Sequence, residues 1–416
     1  MTQTDNKEQR VLIVSVDTNE YDVESSSLEL IELVKSAGGE VVATISQKLD
    51  HIDSSSCVKS GKLLEIKEFC ENEEIDLLVF DLELSPVQLR NIENITDVRT
   101  IDRTMLILDI FALHAKTKEG KLQVELAQLK YMLPRLTGKG IEMSRLGGGI
   151  GTRGPGETKL ETDKRHIHRK MESLKNQLND VEKHRNELRK RRKKDRVITV
   201  AIVGYTNAGK STLMNYLTDA GVLSEDKLFA TLDPTSRKLK LPNGVSVMLV
   251  DTVGLVRRLP HQLVEAFKST LEEAAFSDII LNVCDISSDE ASLHLQVTNE
   301  LLKSLGCENI PVIPVLNKSD LICKDDDTIR INNSVYISAK TGEGIDKLLS
   351  EIEKNLPKKV MKVKSLIPFS KASLVSKIRN EGTLLCEEYT EEGILISAIV
   401  DETIYNSILE YIIDDN

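Results

Sequence analysis

Gly204, Tyr205, Thr206, Asn207, Ala208, Gly209, Lys210 and Ser211 match G-x-x-x-x-G-K-[ST], the loop that cradles the phosphates of a nucleoside triphosphate. Its glycines let the backbone curl until successive N–H groups point at phosphate oxygens. A helix opening at Thr212 would add the positive end of its dipole. Lys210 is spaced to reach the β- and γ-phosphates, and the Ser211 hydroxyl to bind Mg²⁺. The flanks separate this from a chance glycine-rich turn. The β-branched run from Val197 to Val203 reads as a buried strand, and Thr212 to Leu217 as the first turns of a helix.

Three further motifs follow, each after an apolar run. Asn317-Lys318-Ser319-Asp320 follows Val312 to Leu316. The Asp320 carboxylate can accept from both N1–H and the 2-amino group of guanine, a pair that adenine does not offer. Lys318 can lie along the base plane, and Asn317 can brace the phosphate loop. Ser338-Ala339-Lys340 follows Val335 to Ile337 and supplies a backbone N–H for guanine O6. Asp251-Thr252-Val253-Gly254 ends the run Val245 to Val250. There Asp251 would hold Mg²⁺ through water, and the Gly254 N–H would meet the γ-phosphate. Between it and the phosphate loop lies Phe229-Ala230-Thr231-Leu232-Asp233-Pro234-Thr235, one of whose threonines should close over Mg²⁺ when the γ-phosphate is present. Together these motifs specify GTP rather than ATP.

The same segments resemble the HflX family of translation-factor-class GTPases, within the Obg-HflX superfamily. The resemblance rests on Phe229 to Thr235, on Asp251-Thr252-Val253-Gly254-Leu255, and on Gly148-Gly149-Ile150-Gly151-Thr152-Arg153-Gly154-Pro155-Gly156-Glu157-Thr158 ahead of the phosphate loop. With the N-terminal pattern it covers residues 10 to 360. It implies binding to the large ribosomal subunit and its rRNA, with splitting or rescue of stalled ribosomes. It also places the switch threonine at Thr231 rather than Thr235, so that Lys210, Thr231 and Gly254 carry catalysis and Ser211, Thr231 and Asp251 surround Mg²⁺.

One position departs from many small GTPases, which carry a water-orienting glutamine directly after the Asp-x-x-Gly glycine. Here it is Leu255, which cannot orient water, so turnover alone should be slow. A partner, another switch residue or a monovalent cation could complete the site. Asn207 resembles the asparagine of GTPases that place K⁺ where an arginine finger would sit; otherwise it stabilises the loop backbone. Arg257 and Arg258 read as internal fingers, solvated switch residues or ribosome contacts.

These motifs need elements to position them. The 416 residues suffice for about three domains. The expected fold class is α/β: an N-terminal parallel-sheet subdomain over residues 1–117, a helical hairpin over 118–196, a Ras-like P-loop domain over 197–357 and a small α/β domain over 358–416. In the first segment, strands at 11–16, 41–45 and 77–80 alternate with helices at 24–37, 62–70 and 85–95, and a further helix is expected over 104–117. His51 and His114 are isolated there and read as structural or surface residues.

Leu122, Leu126, Leu129, Leu133 and Leu136 form a helical stripe that Pro134 should kink or end. Leu160, Ile167, Leu174, Val181 and Leu188 recur at heptad spacing, with Met171 and Leu178 interleaved, as in a coiled-coil seam. The intervening Gly138 to Gly156 contains a nominal G-x-G-x-x-G, but no strand precedes it and no βαβ unit surrounds it, which excludes dinucleotide binding. It is either a linker or a tip loop whose glycines and arginines enter an RNA cleft. The basic run Arg189 to Arg196 is either a solvated helix end or a phosphate-contacting patch. Residues 370–413 read as helix, strand, strand, helix, with Pro357-Lys358-Lys359 as a linker before them.

The net charge of −11 excludes indiscriminate polyanion binding by the whole surface while leaving local basic patches open. Cys57, Cys70, Cys284, Cys307, Cys323 and Cys386 lack metal-like spacing and fit a reducing compartment. Met1 to Arg10 does not read as a signal peptide, and no apolar run reaches membrane-spanning length. A cytoplasmic monomer is expected. A ribosome-bound GTPase is the favoured function; a GTPase switch that binds a protein partner through its hairpin is the alternative, with the basic hairpin end and the glycine/arginine segment favouring RNA.

Overall fold

Alternating β-branched and amphipathic stretches build the first sheet. The computed structural model describes residues 8–137, 155–194, 197–218, 229, 235–257, 272–322, 333–357 and 360–413. The chain divides into two compact units. One comprises Met1–His184, Glu225–Asp233 and Gly254–Ser269, and the other Arg185–Ser224, Pro234–Val253 and Thr270–Asn416.

In the first unit β1 (Gln9–Asp17), α1 (Val23–Ser36), β2 (Gly39–Lys48), α2 (Ser60–Asn72), β3 (Leu77–Phe80), α3 (Pro86–Thr96), β4 (Arg99–Asp102) and α4 (Arg103–His114) alternate. The strands form an all-parallel sheet in the order β2-β1-β3-β4. Leu12, Val14, Leu63, Ile66, Leu78, Phe80 and Ile92 make one core on it. Helix starts carry local signals: Asp22 caps α1, Ser85 and Gln88 form a capping box beside Pro86 on α3, and Asp102 caps α4.

The helix expected over 104–117 is α4, which stops three residues earlier, at His114. Ala115 is extended, and Thr117 caps a new helix, α5 (Lys118–Met132), by accepting from Gly120 N–H. Strand β4 was not expected, because Arg99-Thr100-Ile101-Asp102 has too few apolar residues to show a period and is recruited by its pairing with β3. The leucine stripe of α5 is also not its buried face. Leu122, Val124, Ala127 and Tyr131 are buried, whereas Leu126 and Leu129 are half-buried. After Met132 the α-helix gives way to a 3-10 turn, Leu133–Thr137, at the proline.

A long helix, α6 (Pro155–Lys194), carries the heptad positions. Met171 and Leu174 are buried, Ile167, Leu178 and Val181 are half-buried, and Leu188 is 38% exposed. The seam therefore does not run its full length: near its end the partly covered positions are Arg185 and Arg189. Lys170 on α6 pairs with Glu125 on α5. The segment from 138 to 154, including the glycine/arginine stretch, lies outside the described residues.

The second unit holds a six-stranded sheet built from β5 (Ile198–Gly204), β6 (Thr235–Lys240), β7 (Ser246–Asp251), β8 (Ile279–Asp285), β9 (Val312–Asn317) and β10 (Val335–Tyr336), in the order β10-β9-β8-β5-β7-β6. Only the β6–β7 pair is antiparallel. Helices α7 (Lys210–Thr218), α8 (Ala291–Ser304) and α9 (Ile345–Lys354) accompany it. β5 is buried along its whole length, as its unbroken apolar run requires of a central parallel strand.

The last segment forms a three-stranded antiparallel sheet, β11-β13-β12, with β11 (Val360–Ile367), β12 (Thr383–Tyr389) and β13 (Ile394–Asp401), and with helices α10 (Ala372–Glu381) and α11 (Glu402–Ile408). β11 follows the expected linker Pro357-Lys358-Lys359, in a stretch for which no element was expected, and it pairs in register with β13. Ile399 and Leu385 of this sheet pack into the core of the six-stranded sheet, against which the hairpin tip Leu241 to Val245 also lies.

Candidate nucleotide site

β5 ends at Gly204 and α7 begins at Lys210, so the phosphate loop occupies the turn between a buried strand and a helix N-terminus. Two of its glycines are obligatory. Gly204 has φ +148° and its missing Cβ would lie 2.0 Å from the Val283 carbonyl oxygen. Gly209 has φ +88° and a Cβ there would lie 2.1 Å from Asn317 Nδ2. Asn207 is also left-handed, at φ 58°, a conformation that asparagine tolerates; it is exposed on the loop.

Lys210 is buried, and its ammonium donates to the Gly204 carbonyl at 3.1 Å and the Tyr205 carbonyl at 2.7 Å. Burial lowers its pKa to about 8, against the opposing field of Asp251. A bound polyphosphate would restore the charge. At pH 8 binding should therefore take up about half a proton per molecule. Below that pH the ammonium is already present and uptake vanishes; above it affinity should fall as pH rises. Calorimetry in buffers of different ionisation enthalpy measures the uptake, and a buffer-independent heat at pH 8 would contradict this.

The Ser211 hydroxyl donates to Asp251 Oδ2 at 3.0 Å, and Asp251 is fully buried. A hydroxyl and a carboxylate at this spacing are hard oxygen donors that fit Mg²⁺. Thr252 spends its hydroxyl on the Ile202 carbonyl at 2.8 Å, and its own N–H points to the same oxygen at 3.2 Å. That anchors the end of β7 to β5 rather than aiming the side chain at a ligand.

The two base-reading motifs are tied to the phosphate loop by one side chain. Asn317 Nδ2 donates to the Ala208 carbonyl at 2.8 Å, while its Oδ1 accepts from Ala339 N–H at 2.9 Å. Lys318, left-handed at φ 65°, pairs with Asp285 at 2.7 Å. Ser319 N–H bonds the Ile337 carbonyl at 3.1 Å, and Asp320 is exposed in the 3-10 turn Ser319–Leu321. Ser338 is fully buried and its Oγ accepts from Thr341 N–H, leaving Lys340 exposed beside it. The structure thus gathers Gly204 to Thr212, Asp251 to Val253, Asn317 to Asp320 and Ser338 to Lys340 within one unit. Gly254 and Phe229 belong to the other unit. Ala230, Thr231, Leu232 and Asp233 lie outside the described residues, as does Arg258.

Some neighbours escaped sequence reasoning. His294 is one: it stacks on the buried Tyr205 of the phosphate loop, ring centroids 4.0 Å apart. Asp285 closes the run Ile279 to Cys284, the strand-end position that the recognised motifs share, and this was its only available signal. Arg189, expected in a basic patch, is instead committed internally: it pairs with Glu273 at 2.6 Å and lies over the Phe276 ring. Arg185 reaches Glu272 at 3.6 Å. Lys190 and Arg191 are exposed. Cys57, Cys70, Cys284 and Cys307 are buried free thiols, with burial pushing Cys57 and Cys284 up to about 12. Among the described residues no helix is long and apolar enough to cross a membrane.

Family profiles match the chain along most of its length. They are described as GTP-binding GTPase N-terminal over residues 24–112, GTP-binding GTPase middle region over 114–192, 50S ribosome-binding GTPase over 199–318, and HflX C-terminal domain over 326–403. The chain is 48% identical over 405 residues to the GTPase HflX of Caldanaerobacter subterraneus subsp. tengcongensis, spanning 97% of this chain and 94% of that protein. It is 40% identical over 395 residues to the GTPase HflX of Escherichia coli K12, spanning 93% and 92% respectively. Among solved structures, a GTP-binding protein from Sulfolobus solfataricus in complex with GDP is 27% identical, with a TM-score of 0.46 over 83% of this chain and 98% of that one. With full-length relatives at this identity and a GTP-binding fold carrying an intact phosphate loop, the chain belongs to the HflX family of GTPases.

Proposed function

We propose that this protein hydrolyses GTP to GDP and phosphate with Mg²⁺, binds the large ribosomal subunit when GTP is bound, and splits or rescues stalled ribosomes. It acts as a cytoplasmic monomer. The observation that carries the catalytic part is the Asn317 bridge, which holds the phosphate loop and the Ser338-Ala339-Lys340 loop together through two hydrogen bonds. Such preorganisation lets base recognition and phosphate binding act on one ligand. Lys210 would neutralise the β- and γ-phosphates, and Ser211, Thr231 and Asp251 would hold the metal. Mg²⁺ would supply charge neutralisation between the phosphates. The Gly254 N–H senses the γ-phosphate. The four segments 1–117, 118–196, 197–357 and 358–416 divide the labour, with the first two engaging ribosomal RNA.

Leu255 is buried and apolar, so it cannot orient the attacking water, and the ribosome supplies what the chain lacks. GTP turnover with and without purified large subunits tests this, together with co-sedimentation in GDP and in a non-hydrolysable analogue. The expected result is strong stimulation with GTP-dependent sedimentation. A second reading, a switch acting on a protein partner, gains from the internal pairing of Arg189, which removes one charge from the basic helix end. The absence of both stimulation and sedimentation would move the assignment there. If Asn207 ligates a monovalent cation, replacing K⁺ by Na⁺ should slow turnover about tenfold or more; equal rates would exclude that role.

A further inference from the structure

Helix α8 meets the phosphate loop through an aromatic pair, within one compact unit. The imidazole of His294 and the ring of Tyr205 stack with centroids 4.0 Å apart and planes 23° from parallel. Tyr205 is 6% exposed, and the His294 side chain 16%. The helix fixes His294 from both directions. Its backbone N–H donates to the Glu290 carbonyl at 3.0 Å, and its carbonyl accepts from the hydroxyl of the buried Thr298 at 2.8 Å. Glu290 also brings a carboxylate oxygen to 3.9 Å from His294 Nε2. On the loop side, the Tyr205 carbonyl accepts from the Lys210 ammonium at 2.7 Å and from Ala208 N–H at 3.3 Å. The residue whose ring rests on α8 is therefore the one whose peptide holds the lysine.

A ring held flat against a neighbour keeps one rotamer, and with it the orientation of its own Cα and of the peptide that carries its carbonyl. Lys210 bonds the carbonyls of two successive residues, Gly204 and Tyr205, so turning the Tyr205 peptide takes one of them away from the ammonium. A charge that waits in place costs a ligand no reorganisation on binding. We propose that His294 is a positioning residue for the phosphate loop, holding Tyr205 so that its carbonyl keeps the Lys210 ammonium in place for the phosphates. The same stretch of chain supports the base side: Asp285, at the end of β8, pairs with Lys318 at 2.7 Å. From Asp285 to His294 the chain thus braces the base-reading motif at one end and the phosphate loop at the other. This rests on the GTPase reading above and adds to it a residue that lies in none of the nucleotide motifs.

Displacement of a fluorescent GTP analogue from the full chain, with GTP and with guanosine as competitors, tests the proposal. His294→Ala should weaken GTP about fivefold, the size of one aromatic pair. It should leave guanosine unchanged, because guanosine carries no phosphate for Lys210 to meet. His294→Phe keeps a flat ring and should recover most of the GTP affinity. His294→Leu fills the space without a flat π-face and should behave like His294→Ala, which it replaces should that variant not fold. Loss of stability alone would reduce the binding-competent fraction and weaken GTP and guanosine by one common factor. GTP affinity within about twofold of native in the Ala and Leu variants would overturn the proposal. So would an equal loss for guanosine, or a His294→Phe variant that binds GTP no more tightly than His294→Leu. A native protein that binds GTP no better than guanosine would instead remove the GTPase reading, and this inference with it.

Discussion

Lys210→Ala is expected to weaken GTP binding by about two orders of magnitude, the largest single effect anticipated on phosphate recognition. A charge-assisted hydrogen bond contributes roughly 1.5–3 kcal/mol, and Lys210 is placed to make such bonds to two phosphates. Desolvation at this buried position strengthens the field that reaches a ligand, because little water screens it. The same ammonium holds the Gly204 and Tyr205 carbonyls, so the loop also loses its internal brace. Lys210→Met, which keeps most of the side chain's volume, separates lost charge from lost packing. Titration with a fluorescent GTP analogue measures the effect. Affinity within about threefold of the native protein would mean that the phosphates bind elsewhere, since even one charge-assisted bond is worth more than that.

Asp320→Asn is expected to reverse base preference, lowering GTP affinity about a hundredfold or more and admitting xanthosine triphosphate. Guanine presents two donors, N1–H and the 2-amino group, and the native carboxylate can accept both. An asparagine places an NH₂ against one of those donors, leaving two donors face to face. Xanthine carries an oxygen at position 2, which that NH₂ can satisfy. The surroundings support a fixed reader: Ser319 N–H is bonded to Ile337, and Lys318 is pinned by Asp285. Asp320 itself is exposed, so the effect should fall short of what a fully buried pair gives. Competition of GTP, ATP and xanthosine triphosphate for the labelled nucleotide is the measurement. Unchanged GTP selectivity would remove Asp320 from base recognition.

Neither result depends on the ribosome. They test the nucleotide site alone, whereas subunit-stimulated turnover tests the partner. Under the proposed function Leu255 connects the two, because a chain that could orient its own water would need no partner to accelerate the chemistry.

What the sequence by itself determined was chemistry written in contiguous residues. The phosphate loop was legible because Gly204, Gly209, Lys210 and Ser211 must stand at fixed offsets for backbone N–H groups to converge. The strands feeding the motifs were legible because buried parallel strands read as unbroken apolar runs, as Ile198 to Val203 does. The role of Asn317 as a brace followed from its position at a strand end, and the bonds to Ala208 and Ala339 have that form. What only the tertiary structure decided were pairings between residues far apart in the chain. Strand β4 takes its form from β3, and β11 from β13, neither from its own composition. The basic run looked uniform in sequence, but Glu273 and Phe276 capture Arg189 from it, as Glu272 does Arg185 one turn earlier. The heptad seam promised continuous burial, but of the described seam positions Met171 and Leu174 are the buried ones. The hydrogen bonds of Arg257 with Glu29 and Arg103 span 228 and 154 positions of sequence. A local pattern encodes backbone geometry and periodicity, whereas a distant carboxylate finds its arginine only once the chain has folded around both.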